Sequence, residues 1–241
     1  MEWSDDALVL SARPFGESSK IVECLTPSQG RVAGMVRGAR GKTLRATLQP
    51  GNIVAAKWRG RSAEQLGTLA VELVSARAGL VMEHAFGAFG LQSMAALLAF
   101  LPERDPHPRL YAAANALVDA FALAPAAAEA GIRFEIILLS EFGFGLDLSE
   151  CAATGAAENL THVSPRTGRA VCAAAAAPYA DRLLPLPSFL VDDGPMDAKG
   201  ADAGFRLTGY FVSTNIAALA NKPLPPERER FVRAVVKALP R

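Results

Sequence analysis

Gly67-Thr68-Leu69-Ala70-Val71-Glu72-Leu73-Val74-Ser75 decides the fold. Leu69, Val71 and Leu73 alternate with Thr68, Ala70 and Glu72, the period of a strand with one face buried and one wet. Working back toward the start, residues 7–12, 20–26, 31–36 and 52–59 read as four more strands. Pro14-Phe15-Gly16-Glu17, Pro27-Ser28-Gln29-Gly30 and Pro50-Gly51-Asn52 supply turn chemistry between them, and residues 38–49 form a longer polar, basic connection. Five short strands in eighty residues, with no helix-length pattern between most of them, imply a small Greek-key barrel of the OB type.

Charge is distributed unevenly on this barrel. Residues 24–63 contain eight cations, Arg31, Arg37, Arg40, Lys42, Arg45, Lys57, Arg59 and Arg61, and no Asp or Glu, although the chain carries a formal net charge of only +1. Up to Leu80 there are 11 Lys and Arg against 7 Asp and Glu, and after it 14 against 17. A local excess of this kind suits a phosphate backbone, since each neutralised phosphate releases condensed counterions. The alternative is a solvated basic face. Trp58, between Lys57 and Arg59, is the candidate for stacking on a base; strand alternation equally allows it to be a core tryptophan.

After Leu80 the period becomes helical. Leu110, Ala114, Leu117 and Phe121 share one helix face, residues 126–142 are apolar almost all round, and Phe205, Gly209, Val212, Ile216 and Leu219 make a further stripe. Pro225-Pro226 opens a last helix carrying Phe231, Val235 and Leu239. The expected organisation is therefore α+β and multidomain: a barrel over 1–80 and an α-helical domain over 81–241. Within the latter, 143–187 reads as an irregular insertion and 191–204 as a Gly/Asp-rich linker.

Most enzyme chemistry is excluded. Gly38-Ala39-Arg40-Gly41-Lys42-Thr43 ends like a phosphate loop, but the required first glycine is Val36, and a basic loop and another strand are expected to follow rather than a helix. Cys151, His162 and Cys172 stand singly rather than as paired Cys-x-x-Cys knuckles, so no metal or other cofactor is expected. Glu135 and Glu141 are six apart, off a common helix face, and no nucleophile motif accompanies His84, His107 or His162. No catalytic residue is assigned. The acidic start lacks a signal-peptide layout, no apolar run approaches a membrane span, and three cysteines without framework spacing fit a reducing cytoplasm.

Leu8-Val9-Leu10, Arg13-Pro14-Phe15-Gly16-Glu17, Thr26-Pro27 with Gly30, Arg37-Gly38-Ala39-Arg40, Leu48-Gln49-Pro50 and Gly67-Thr68-Leu69, in that order, resemble the N-terminal domain of the bacterial RecO DNA repair family. Arg133-Phe134-Glu135, Leu138-Leu139, Glu141-Phe142-Gly143 and Leu146 are similar to that family's central helix and its exit, and residues 179–187 to its alphaproteobacterial members. The resemblance implies an OB fold followed by a helical domain. It implies binding of single- and double-stranded DNA, annealing of complementary strands, and action with RecR to load RecA onto DNA coated by single-strand-binding protein (SSB). It also implies a contact with the acidic SSB tail, for which Arg133 is the favoured residue, with Glu129 as its possible internal partner instead. Some members hold zinc in a four-cysteine insertion, which this chain lacks. The implied location is cytoplasmic and nucleoid-associated; an RNA-binding OB protein or a purely protein-binding adaptor are the alternatives.

Overall fold

The computed structural model describes residues 1–62, 65–192, 194 and 196–240. Ala63 and Asp193 and Pro195 of the expected linker lie outside the described residues. The chain forms two compact units, Met1–Ala122 and Leu123–Arg241. The boundary expected at residue 80 is where strands give way to helices; the division between compact units falls later.

In the first unit β1 (Glu2–Phe15), β2 (Ser19–Thr26), β3 (Gly30–Val36), β4 (Ile53–Arg59) and β5 (Gly67–Ser75) close into a barrel in the order β1-β2-β3-β5-β4. This is the OB arrangement, with every neighbouring pair antiparallel except β3 and β5. β1 is longer than its apolar centre suggests because it serves two neighbours: Glu2 to Leu8 pair with β4, and Leu8 to Phe15 with β2. Alternate residues of the strands, among them Val9, Val22, Cys24, Val32, Val54, Ala56, Trp58 and Leu69, fill the interior. Burial pushes the Cys24 thiol up to about 12, so it packs as a neutral small hydrophobe. Leu73, expected inside by alternation, is 47% exposed although it pairs with the core residue Val54; the ladder shifts register beside it, at Val74.

The connection after β3 is not all loop. It contains a six-residue helix, α1 (Lys42–Thr47), entered through a tight turn in which Gly38 takes φ 66 and its carbonyl accepts from the Gly41 amide. Buried Asn52 fixes this helix in place: its Nδ2 donates to the carbonyls of Ala46 and Thr47, while its Oδ1 accepts the Arg77 and Ala78 amides that open α2 (Ala78–Glu83). The same unit holds α3 (Ala85–Leu98) and α4 (Pro108–Asp119), on which Leu110, Ala114 and Leu117 are buried as their spacing predicts.

The second unit is built on α5 (Ala124–Glu141), with Ile132, Phe134, Leu138 and Leu139 fully buried. The stretch expected to be irregular contains a small sheet in the order β7-β6-β8, from β6 (Leu160–Val163), β7 (Ala170–Cys172) and β8 (Leu184–Pro185), with α6 (Ala173–Ala176) beside it. Strands this short carry too little periodicity to be read from residues alone. α7 (Ala198–Phe211), capped by the Asp197 side chain and so taking residues 198–204 out of the expected linker, and α8 (Pro226–Ala238) complete the unit. Between them Val212–Ala217 is wound as a π-helix. The wider turn shifts the helical phase of the residues after it, so Phe205, Val212 and Ile216 are buried but Leu219, last of the expected stripe, is 73% exposed.

Candidate nucleic-acid interface

The eight cations do not form one surface. Arg31 lies at the start of β3 and is consumed internally: its Nη1 is 2.6 Å from Glu23 Oε1 and 3.4 Å from Glu103 Oε1, and its Nη2 donates to the Leu101 carbonyl. It is removed from the expected DNA-binding set. Trp58 is removed as well. It has no exposed surface, its Nε1 donates to the Ala33 carbonyl at 3.3 Å, the Trp3 ring lies parallel to it at 6.2 Å, and the Arg104 guanidinium sits 4.4 Å from its ring centroid. No base can reach that ring, and the alternation that turns Lys57 and Arg59 outward is what turns Trp58 in.

Arg37, Arg40, Lys42, Arg45 and Arg61 are exposed, and none has a carboxylate partner among the described residues. Four of these lie on the β3 exit and α1. Cross-strand register adds two cations that a window beginning at Cys24 misses: Lys20 pairs with Val36, next to Arg37, and Arg13 pairs with Ile21 at the same end of β2, across its other edge. Lys57 and Arg59 reach the same region across β5, where they and Arg37 rim a groove of about 560 Å³ with Leu44, Leu69 and Val71 at its base.

Lys57 and Arg59 are partly neutralised by one residue. Arg59 donates to Oε2 of Glu2 from Nε at 3.0 Å and Nη2 at 2.8 Å, and Lys57 Nζ lies 2.6 Å from Oε1. Lys57 first, and then Arg59, hold the Glu2 carboxyl below its ordinary range. Removing that carboxylate would leave both cations free for the phosphate contact that the charge excess suits. Glu2→Gln is therefore expected to tighten DNA binding and steepen the salt dependence by about one unit; a salt titration showing an unchanged slope would place Lys57 and Arg59 outside the interface.

In the second unit Arg133 projects, half-exposed, from α5. Its Nε donates to Glu129 at 2.8 Å, the internal partner expected as the alternative, and its Nη2 donates to the Phe189 carbonyl at 3.1 Å. Cys151 and Cys172 do come together: the Cys172 amide donates to Cys151 Sγ at 3.2 Å, and the Thr154 hydroxyl lies 3.7 Å from Cys172 Sγ. The Cys172 amide, and then the Thr154 hydroxyl, bring the Cys151 thiol down to about 6. His162 turns its Nδ1 to Thr161 instead, at 2.9 Å, and among the described residues no group of three or more His, Cys, Asp or Glu is placed to hold a metal. Among them, too, no helix is long and apolar enough to cross a membrane.

Comparison with known proteins agrees with this architecture. Residues 1–77 match the family model described as "Recombination protein O N terminal", and residues 86–225 match "Recombination protein O C terminal". The "DNA repair protein RecO" of Agrobacterium fabrum is 46% identical over 100% of this chain and 96% of its own length. That of a Bradyrhizobium species (strain ORS 278) is 48% identical over 99% and 97%, and that of Sinorhizobium medicae 45% over 99% and 96%. With an OB barrel and a helical unit matched in order, and with relatives this similar from end to end, the chain belongs to the Recombination protein O (RecO) family.

Proposed function

We propose that this chain is a non-enzymatic DNA repair mediator that holds single- and double-stranded DNA by its phosphates, without reading sequence. It anneals complementary strands and, with RecR, helps load RecA onto SSB-coated DNA in the cytoplasm, at the nucleoid. The observation that carries the DNA contact is the set Arg37, Arg40, Lys42 and Arg45, four exposed cations on one connection with no carboxylate partner among the described residues. Lys57 and Arg59, which share a groove with Arg37, extend the same track, and Arg61 follows two positions after Arg59. With Trp58 buried the expected stacking platform is unavailable, and Phe15, 47% exposed at the end of β1 beside Lys20, is the aromatic left near these cations, so affinity rests chiefly on charge and base edges stay largely free to pair. That combination suits annealing, which needs phosphate repulsion screened while the bases remain accessible. Contact with the SSB tail through Arg133 requires its guanidinium to exchange Glu129 for a tail carboxylate. Pairs of this exposed kind hold with only about 0.3–0.5 kcal/mol, so the exchange is inexpensive.

The deciding experiment replaces Arg40, Lys42 and Arg45 together with alanine. Three lost phosphate contacts flatten the slope of log K against log salt by about 2.7 units on duplex and about 2 on single strands, and weaken binding at least about tenfold at low salt. Filter binding across salt with single-stranded DNA, duplex DNA and RNA provides the comparison. An unchanged slope overturns the loop assignment, a preference for RNA points to 2′-hydroxyl recognition, and no polynucleotide binding at all leaves a protein adaptor.

A further inference from the structure

We propose that the free edge of β5, with the groove beside it, docks an extended acidic and apolar segment of a partner protein by strand addition. On one side β5 pairs with β4 from Thr68 to Ser75. On the other, its ladder with β3 consists of Gly34–Gly67 and Met35–Thr68 alone, and β3 ends at Val36. Residues 69–75 therefore have no ladder partner on that side among the described residues, and no other backbone hydrogen bond from those residues reaches them. An edge of this kind presents alternate N–H and C=O groups to any chain that can lie beside it. Proline and lysine, two of the usual protections, are absent from 69–75, where Glu72 is the one charge; a bulge at Val74 and the neighbouring α1, which among the described residues makes no backbone hydrogen bond to the strand, restrict the edge only in part. Leu73 and Val74 are 47% and 56% exposed along it.

The groove beside the edge selects the occupant. Its base is aliphatic, from Leu44, Leu69 and Val71, and its rim is Arg37, Lys57 and Arg59, of which Glu2 neutralises only part. No aromatic ring lines it, so it offers a nucleic acid nothing to stack on, while unpaired amides and an aliphatic base match a polypeptide strand. The cationic rim asks for carboxylates on that strand. A second copy of β5 would bring a single carboxylate, Glu72, to three cations. A partner segment alternating acidic with aliphatic side chains satisfies edge, base and rim together. This goes beyond the DNA reading but shares Arg37, Lys57 and Arg59 with it, so such a segment competes with DNA at the groove and leaves Arg40, Lys42 and Arg45 available.

The test titrates the full chain with a fluorescein-labelled peptide of alternating Asp and Val, about eight residues long. Anisotropy reports binding and hydrogen exchange reports residues 69–75. Expected are saturable binding, slowed exchange across 69–75, and at least about tenfold weaker binding when alternate peptide amides are N-methylated. A Lys and Val peptide should bind at least about tenfold more weakly, as should the acidic peptide to Arg37→Glu. Equal binding of the N-methylated or the lysine peptide overturns the proposal, as does no binding. It is equally overturned by a dimer in which 69–75 are already protected, or by a thymidine oligonucleotide protecting them where the peptide does not. The salt slope of the Arg40, Lys42 and Arg45 variant is read separately, so failure here and failure of the DNA reading are distinguishable.

Discussion

Arg228→Met is expected to destabilise the second unit by about 3–5 kcal/mol, read as a lower urea midpoint. Glu135, on the buried face of α5, is 1% exposed, and Arg228 of α8 answers it twice: Nε to Oε1 at 2.7 Å and Nη2 to Oε2 at 2.8 Å. The Thr208 hydroxyl of α7 donates to the same carboxylate, and Arg228 Nη2 also donates to the Phe205 carbonyl at 2.7 Å. The guanidinium lies over Gly209, where an added Cβ would stand 2.8 Å from Nη1. Methionine fills much of the arginine's volume but leaves a carboxylate in the core with only a hydroxyl for company. The cost is that of an unpaired buried charge rather than of a lost attraction, and the two are separable. Changing both partners, Glu135→Leu with Arg228→Met, should return stability to within about 2 kcal/mol of the parent or above it. A single variant costing under about 1 kcal/mol would show that water reaches the carboxylate and the site is not dry.

Trp58→Ala should cost the barrel a comparable 3–5 kcal/mol, roughly the penalty for emptying a large aromatic site. The ring is held on all sides. Gly60 and Gly67 approach so closely that a Cβ at either would stand 2.2 Å and 2.3 Å from indole carbons, so the tryptophan and two glycines are one packing unit. Trp58→Leu separates core from binding roles, because it keeps an apolar side chain in the barrel while removing the aromatic face. The folded variant should bind single-stranded DNA within about twofold of the parent. A stacking tryptophan would instead contribute about 1–3 kcal/mol per base, and losing its indole would show in the affinity. Lower stability with unchanged DNA affinity is the result that fits a residue with no exposed surface.

Features governed by local rules are legible in the residues alone. Alternation marks five strands and sets Trp58 opposite Lys57 and Arg59, and the basic run stands out because no carboxylate interrupts it. Partners chosen by register are not legible in that way. Arg31 looks like any other cation of the run until β2 brings Glu23 beside it and Glu103 arrives from 72 residues away. Glu2 looks like part of an acidic start until β1 pairs it with Arg59. Glu135, dismissed for its poor spacing from Glu141, has its partner 93 positions later. Periodicity also fails where geometry departs from it, in the short helix of the basic connection and at the π-wound turn that leaves Leu219 outward.

The matched C-terminal family region stops at residue 225, one position before α8 begins, yet α8 supplies Arg228, Phe231 and Val235 to the interior. A chain still being synthesised, halted before that helix emerges, holds Glu135 with no cation to meet it and an open slot along α5 and α7. The order of translation thus defers the second unit's completion until α8 has been made, and a stop before that helix removes the keystone of the unit.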